Sequence, residues 1–146
     1  MRLDVGDIFT WENFPYPITG EIKRRWFIYF GDGGYFSIDV YLFTTTTNMD
    51  RNNEDSIIFH KGEYSFTRDC ILNVGQNHYS KNITKVDIDK HIKNGNINKV
   101  SKLQENKIRE IYNKVLKSKY ISRIDKIAIH DALNRAGIIN LTKPKK

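Results

Sequence analysis

The stretch Glu21-Ile22-Lys23-Arg24-Arg25-Trp26-Phe27-Ile28-Tyr29-Phe30 limits most sharply what this chain can fold into. Five consecutive apolar or aromatic residues read as a buried strand, and the abrupt basic triplet before them puts concentrated positive charge at its entry, where a phosphate can be held. Gly31-Asp32-Gly33-Gly34 follows and can supply positive φ, so the spacing predicts a hairpin with a second strand from Tyr35 to Phe43, ending in Thr44-Thr45-Thr46-Thr47. On that second strand Phe36, Ile38, Val40 and Leu42 share one face, and Thr44 shares their parity.

Other short strands are expected at Val5–Phe9, Ser56–His60 and Cys70–Val74, with a weaker one at Ile83–Ile88. Phe14-Pro15-Tyr16-Pro17-Ile18-Thr19-Gly20 is too rich in proline to be anything but a loop, and 48–55 reads as a long exposed connection. That connection lacks the central glycine and terminal glutamate of a calcium loop, so no metal site is expected there. Several short strands with tight turns imply a compact barrel-like sheet. Character changes near Lys99. Ser101 with Gln104 makes a capping box before a helix at about 101–118, whose apolar positions are Leu103, Ile108, Ile111, Val115 and Leu116. Ser122 with Asp125 starts a second helix at about 122–137, with Ile124, Ala128, Ala132 and Leu133 as its apolar pattern and Gly137 past its end. Lys143-Pro144-Lys145-Lys146 reads as a frayed tail.

At 146 residues the chain suffices for one domain with its own core. A formal charge of +7 with 12% aromatics favours a polyanionic partner, nucleic acid before a membrane surface. Cys70 is the only cysteine, which excludes an intramolecular disulfide and a thiolate metal cluster within one chain. No stretch resembles a secretion signal or a membrane span, so the expected location is the cytoplasm.

Taken together, Val5-Gly6-Asp7-Ile8, Lys23-Arg24-Arg25 opening an apolar strand, the strand end Phe43-Thr44, Arg68-Asp69 followed by Gln76, and the leucine-bearing turn Val100-Ser101-Lys102-Leu103 resemble the MazF/PemK (Kid-type) toxins of bacterial toxin–antitoxin systems. The resemblance spans roughly Val5 to Leu116. It implies a mainly β, α+β fold: a small SH3-like β-barrel of the PemK/CcdB type at about 3–98, followed by the two helices, the second an addition to the family pattern. It further implies a dimer that cleaves single-stranded RNA without metal or cofactor, by attack of the 2′-hydroxyl on its own phosphate, and a protein antitoxin, or less expectedly an RNA one as in ToxN-like enzymes. A non-catalytic nucleic-acid- or gyrase-binding module on the same barrel is the alternative. The chain departs from the pattern where Trp26 follows Arg25 in place of proline, and where Asn73-Val74-Gly75 stands for an Arg-x-Asp pair.

By position, the resemblance makes Arg25 and Thr44 the groups that bind and polarise the scissile phosphate, with Thr45 the nearest substitute for Thr44. A guanidinium can hold two phosphate oxygens and keeps its charge at any working pH. Arg24 points to the opposite face of a regular strand and, with Lys23, supplies substrate-binding charge. His78 is the preferred acid or base, set against an ordinary turn histidine; His91 and His130, among lysines and aspartates, read as surface residues. Trp11 and Tyr16, with Phe14 between them, are placed to stack bases, and Arg68 and Gln76 to anchor substrate.

Overall fold

The computed structural model describes residues 2–15, 24–34, 37–75, 78–79 and 83–145, with His78 and Tyr79 described by their backbone alone. Its main sheet has five antiparallel strands in the order β6-β3-β2-β1-β7: β1 (Asp7–Trp11), β2 (Arg25–Asp32), β3 (Val40–Thr44), β6 (His78–Tyr79) and β7 (Ile97–Lys102). A hairpin of β4 (Ser56–Phe59) and β5 (Cys70–Asn73) forms a second sheet. Reciprocal main-chain hydrogen bonds of 2.9 Å between Thr46 and Ile71 tie the two sheets together. Three helices complete the fold: α1 (Lys85–Lys93), α2 (Glu105–Lys117) and α3 (Arg123–Arg135). No helix among the described residues is long and apolar enough to cross a membrane.

The predicted hairpin of β2 and β3 forms, with Phe27 opposite Thr44, Ile28 opposite Phe43 and Tyr29 opposite Leu42. Its alternation feeds two cores. Ile28, Phe30, Tyr41 and Phe43 pack with α2, α3 and the β4–β5 hairpin. Phe27, Tyr29, Val40 and Leu42 pack on the other face with Phe9, Trp11, Phe14 and Ile88. A strand covered on both sides needs apolar residues at successive positions, which is why β2 is a continuous apolar run instead of an alternating one.

Six expectations change. Among the described residues no pairing joins the edge strands β6 and β7, so the sheet stays open and the architecture is a small α+β fold, not a closed barrel. One reason is α1, which takes the segment read as a weak strand at Ile83–Ile88. Thr84 caps this helix by accepting from Asp87 N, while the Asp87 carboxylate accepts from Thr84 N at 3.0 Å. This reciprocal box satisfies N–H groups that a helix start leaves unpaired. Thr84→Ala is expected to cost about 1 kcal/mol in chemical denaturation, and Thr84→Ser to restore most of it. The expected box at Ser101 is absent, because Ser101 lies in β7 opposite Ile8 and α2 starts after Gln104, which makes no side-chain cap.

β3 begins at Val40, not Tyr35. Ile38 is 61% exposed, while Gly33 N bonds Asp39 O at 3.1 Å and closes the connection. In α3 the Ser122 cap is present and Gly137 follows the helix at φ +94, but the buried face is Ile129, Ala132 and Leu133; Ile124 is 78% exposed. The C-terminal segment is tied down, for Tyr112 Oη donates to Thr142 O and Arg123 Nε to Lys145 O.

Candidate functional site

Antiparallel pairing brings the end of β1, the start of β2, the end of β3 and the start of β7 to one rim of the sheet. Trp11 stands directly opposite both Arg25 and Ile97, and Thr44 stands opposite Phe27, two residues from Arg25. Cross-strand partners share a face, so Trp11, Arg25, Phe27 and Thr44 project to the same side.

Trp11 is fully buried, its ring packed against Phe14 (centroids 5.0 Å), Phe27 (5.9 Å) and His91 (5.0 Å). Its faces are therefore closed to a nucleobase, which corrects the stacking role expected for Trp11. Phe14 is fully buried as well and offers no open face. The indole N–H of Trp11 is buried without an acceptor among the described residues, and so is Nε of Arg25. Each such group costs roughly 1–3 kcal/mol of unrecovered hydration, and two on one cross-strand pair call for an explanation. Both donors sit on this one cross-strand pair, the second of them on a cation.

The adjacent arginine differs. Arg24 Nε is engaged by the Glu12 carboxylate in an ion pair, so its charge is neutralised locally. Thr44 is 5% exposed, and its hydroxyl donates to Trp26 O at 2.9 Å. Its proton is committed to holding the first turn of β2 in register, so Thr44 positions Arg25's strand and retains only lone pairs to offer. The neighbouring Thr45 hydroxyl bonds the Cys70 thiol, which burial pushes up to about 11, far from a reactive thiolate.

His91 is the residue that sequence reasoning misplaced. It is half-buried against Trp11, with its Nδ1 3.4 Å from Asn96 Nδ2. Asn96 O in turn accepts from Glu12 N at 2.8 Å, which joins His91 to the Glu12–Arg24 pair. The Thr84-x-x-Asp87 box was the available signal: it marks a helix on which Ile88, His91 and Ile92 fall on one face.

Of the other expected residues, Lys23, Tyr16 and Gln76 lie outside the described residues, and His78 is placed by its backbone opposite Phe43. Arg68 is exposed and makes no ion pair among the described residues; its neighbour Asp69 accepts from Lys61 N at 2.7 Å. The loop bearing Arg68 packs through Phe66 against Trp26 (5.2 Å), on the face opposite Arg25. His130 is largely covered and pairs with Asp131 at 3.0 Å. Among the described residues no group of three His, Cys, Asp or Glu side chains is arranged to hold a metal ion.

No model of a known protein family matches this sequence, and no curated protein matches it either. The chemistry of the rim therefore has to be read from its own residues.

The opposite end of β2 carries a second polar cluster. Asp32 accepts from Tyr29 Oη and Gly34 N, both at 2.8 Å, and lies 3.6 Å from Lys85 Nζ; its main-chain oxygen accepts from Arg135 at 2.7 Å. Adjoining clefts of about 460 and 530 Å³ open here. Their cations are matched by acids, Arg2 with Asp4 and Lys102 with Asp7, so no donor is orphaned as at the rim. Burial works to raise the Asp32 pKa, but the Gly34 N–H, the Tyr29 hydroxyl and Lys85 outweigh it and hold the carboxyl below its usual value. A depressed carboxylate stabilises the fold above the unfolded value of 3.8, and that contribution is lost as pH falls through the folded pKa. Melting temperatures measured from neutral pH downward should show this acid loss in the wild type and a shallower one in Asp32→Asn.

Proposed function

We propose that this chain is a toxin-type endoribonuclease that cleaves single-stranded RNA without a metal ion, on a fold related to the SH3-like barrel of the MazF/PemK family. The observation that carries the reading is the Arg25 guanidinium, which stands at the rim opposite Trp11 and whose buried Nε has no acceptor among the described residues. The resemblance of the strand-opening Lys23-Arg24-Arg25 adds the identity of the phosphate ligand.

In the reaction, the 2′-oxygen forms a bond to phosphorus and the bond from phosphorus to the 5′-oxygen breaks. The products are a 2′,3′-cyclic phosphate and a 5′-hydroxyl. One proton leaves the 2′-hydroxyl and one reaches the departing 5′-oxygen, while negative charge builds on the non-bridging oxygens. The Arg25 guanidinium bonds those oxygens most strongly when that charge is greatest, which is what lowers a barrier. His91, beside Trp11, and His78 carry the two proton transfers. Thr44 holds the strand that presents Arg25. The same reading implies a cytoplasmic homodimer held inactive by an antitoxin, of protein or RNA.

One observation favours the alternative of a non-catalytic nucleic-acid-binding module: the hydroxyl proton of Thr44 is already used by Trp26 O. Incubating the protein with a long single-stranded RNA in chelator separates the two. Discrete products with 5′-hydroxyl ends, absent when the substrate is DNA, support the nuclease. Retention of intact RNA supports the binding module.

A further inference from the structure

In the first half of α2 each cation has a carboxylate, Arg109 with Glu105 at 3.2 Å and Lys107 with Glu110 at 2.8 Å. Beyond it the balance is lost. From Ile111 to Ile124 the sequence carries Lys114, Lys117, Lys119 and Arg123 without an acid, and from Ala132 to Lys146 it carries four more cations without one. Of these, Lys119, Arg123, Lys143 and Lys145 are exposed and make no ion pair among the described residues. The two acids of α3, Asp125 and Asp131, already have partners.

The tail gathers these cations. Leu141 packs against the larger core, Tyr112 Oη donates to Thr142 O, and Arg123 Nε donates to Lys145 O at 3.1 Å. An arginine is thereby fixed on the main chain of a lysine, with Lys143 two residues away and no carboxylate among the described residues to offset their repulsion. An exposed aromatic lies in the same stretch. Tyr120, next to Lys119 and three residues before Arg123, is 65% exposed. Its position is fixed, because Tyr120 N donates to Oγ of the buried Ser118 at 3.1 Å and its ring lies against Gly75, where a Cβ would stand 2.7 Å from Tyr120 Cδ2. A ring supported from below and open to solvent, flanked by cations, has the make-up of a surface that stacks a base and binds the phosphates beside it.

We propose that Lys119, Tyr120 and Arg123, with the tethered tail at Lys143 and Lys145, form a binding surface for single-stranded nucleic acid, the four cations on phosphates and one base stacked on Tyr120. A single strand is required because the bases of a duplex have no free face to offer a lone ring. The surface shares no residue with the Arg25 rim, so it stands whether or not the rim cleaves RNA.

The test is a fluorescence-anisotropy titration of the full chain with a short, labelled 2′-O-methyl oligouridylate, which has no 2′-hydroxyl to attack, at a series of salt concentrations. The expected result is saturable binding whose logarithm falls linearly with log salt. In Arg123→Gln/Lys143→Gln/Lys145→Gln the affinity should fall at least about ten-fold and the salt slope become shallower by about 2, from three phosphate contacts at roughly 0.7 each. Tyr120→Ala should lose about ten-fold with the slope unchanged, and Tyr120→Phe should lose little. All these side chains are exposed, and thermal melts of each variant check that its fold is kept. No saturable binding overturns the proposal, and so does unchanged affinity and slope in the triple variant, which would put the strand elsewhere on the chain. Unchanged affinity in Tyr120→Ala, or equal affinity for a duplex of the same length, removes the stacked base and overturns it too. Equal binding by a polyglutamate peptide of the same charge would overturn it by assigning the surface to an acidic protein.

Discussion

Arg25→Met is expected to lower RNA cleavage by about 10²–10³-fold, the usual loss when one preorganised donor to a transition-state oxygen is removed. The same substitution should leave the melting temperature unchanged or slightly raised. The two halves belong together. Arg25 Nε is buried with no acceptor among the described residues, so in the free protein it contributes a desolvation cost that no described hydrogen bond offsets. Methionine keeps the aliphatic stem that packs beside Trp11 and removes that cost. Arg25→Lys keeps a charge but loses the planar fork, and should recover only part of the rate. Single-turnover cleavage of a defined RNA and calorimetric melting of the same preparations check both claims. A melting temperature that drops in step with activity would mean that Arg25 is structural, and full activity in Arg25→Met would remove it from the reaction.

The second large effect is on stability. Gly31 sits in the β2 bulge at φ +111, and a Cβ there would stand 2.5 Å from the Cβ of Ala132 on α3. Gly31→Ala therefore imposes both a strained backbone and a collision between the sheet and the helix. These sum to roughly 2–4 kcal/mol, or a fall on the order of 10 °C in melting temperature. Ala132→Gly in the same chain should return the steric part and not the backbone part. If the double variant melts no higher than Gly31→Ala alone, the close approach of α3 to β2 is not what makes this glycine necessary. Arg135 also ties α3 to β2 at this junction, donating to Asp32 O at 2.7 Å.

Elements that bury most of their residues were legible in the sequence. β2 carries its own signal as an unbroken apolar run, and so do β4 and β5. The helical spacing of Ile108, Ile111 and Val115 gave α2 its core face. β7 was not legible, since its sequence Ile97-Asn98-Lys99-Val100-Ser101-Lys102 buries only Ile97. It is an edge strand, and charged edge residues serve to block further pairing instead of filling a core. The start of α1 was read as a weak strand at Ile83–Ile88, whereas the Thr84–Asp87 box fixes a helix start there. Ile124 was assigned to the core by spacing alone, but the turn of α3 onto β2 leaves it outside.

The candidate site divides in the same way. Arg25 was marked by its place at the head of an apolar strand and by the resemblance, and the structure adds the reason to choose it over Arg24: Glu12 engages Arg24, while Nε of Arg25 has no acceptor among the described residues. Trp11 and His91 could not be valued from sequence. Whether an aromatic ring stacks on a base or on Phe14 and Phe27 depends on what the chain packs over it.

By itself the sequence determined the strand-rich first half, the β2–β3 hairpin, the two C-terminal helices and the basic charge at the head of β2. Each of these follows from local periodicity and composition, which act over a few residues. Tertiary structure alone decided that the sheet stays open among the described residues, that Thr44's hydroxyl is spent on Trp26 O, and that Trp11 opposes Arg25 with neither donor satisfied by a described residue. Those outcomes depend on which distant residues meet, and hydrogen-bond satisfaction and burial are set only when they do.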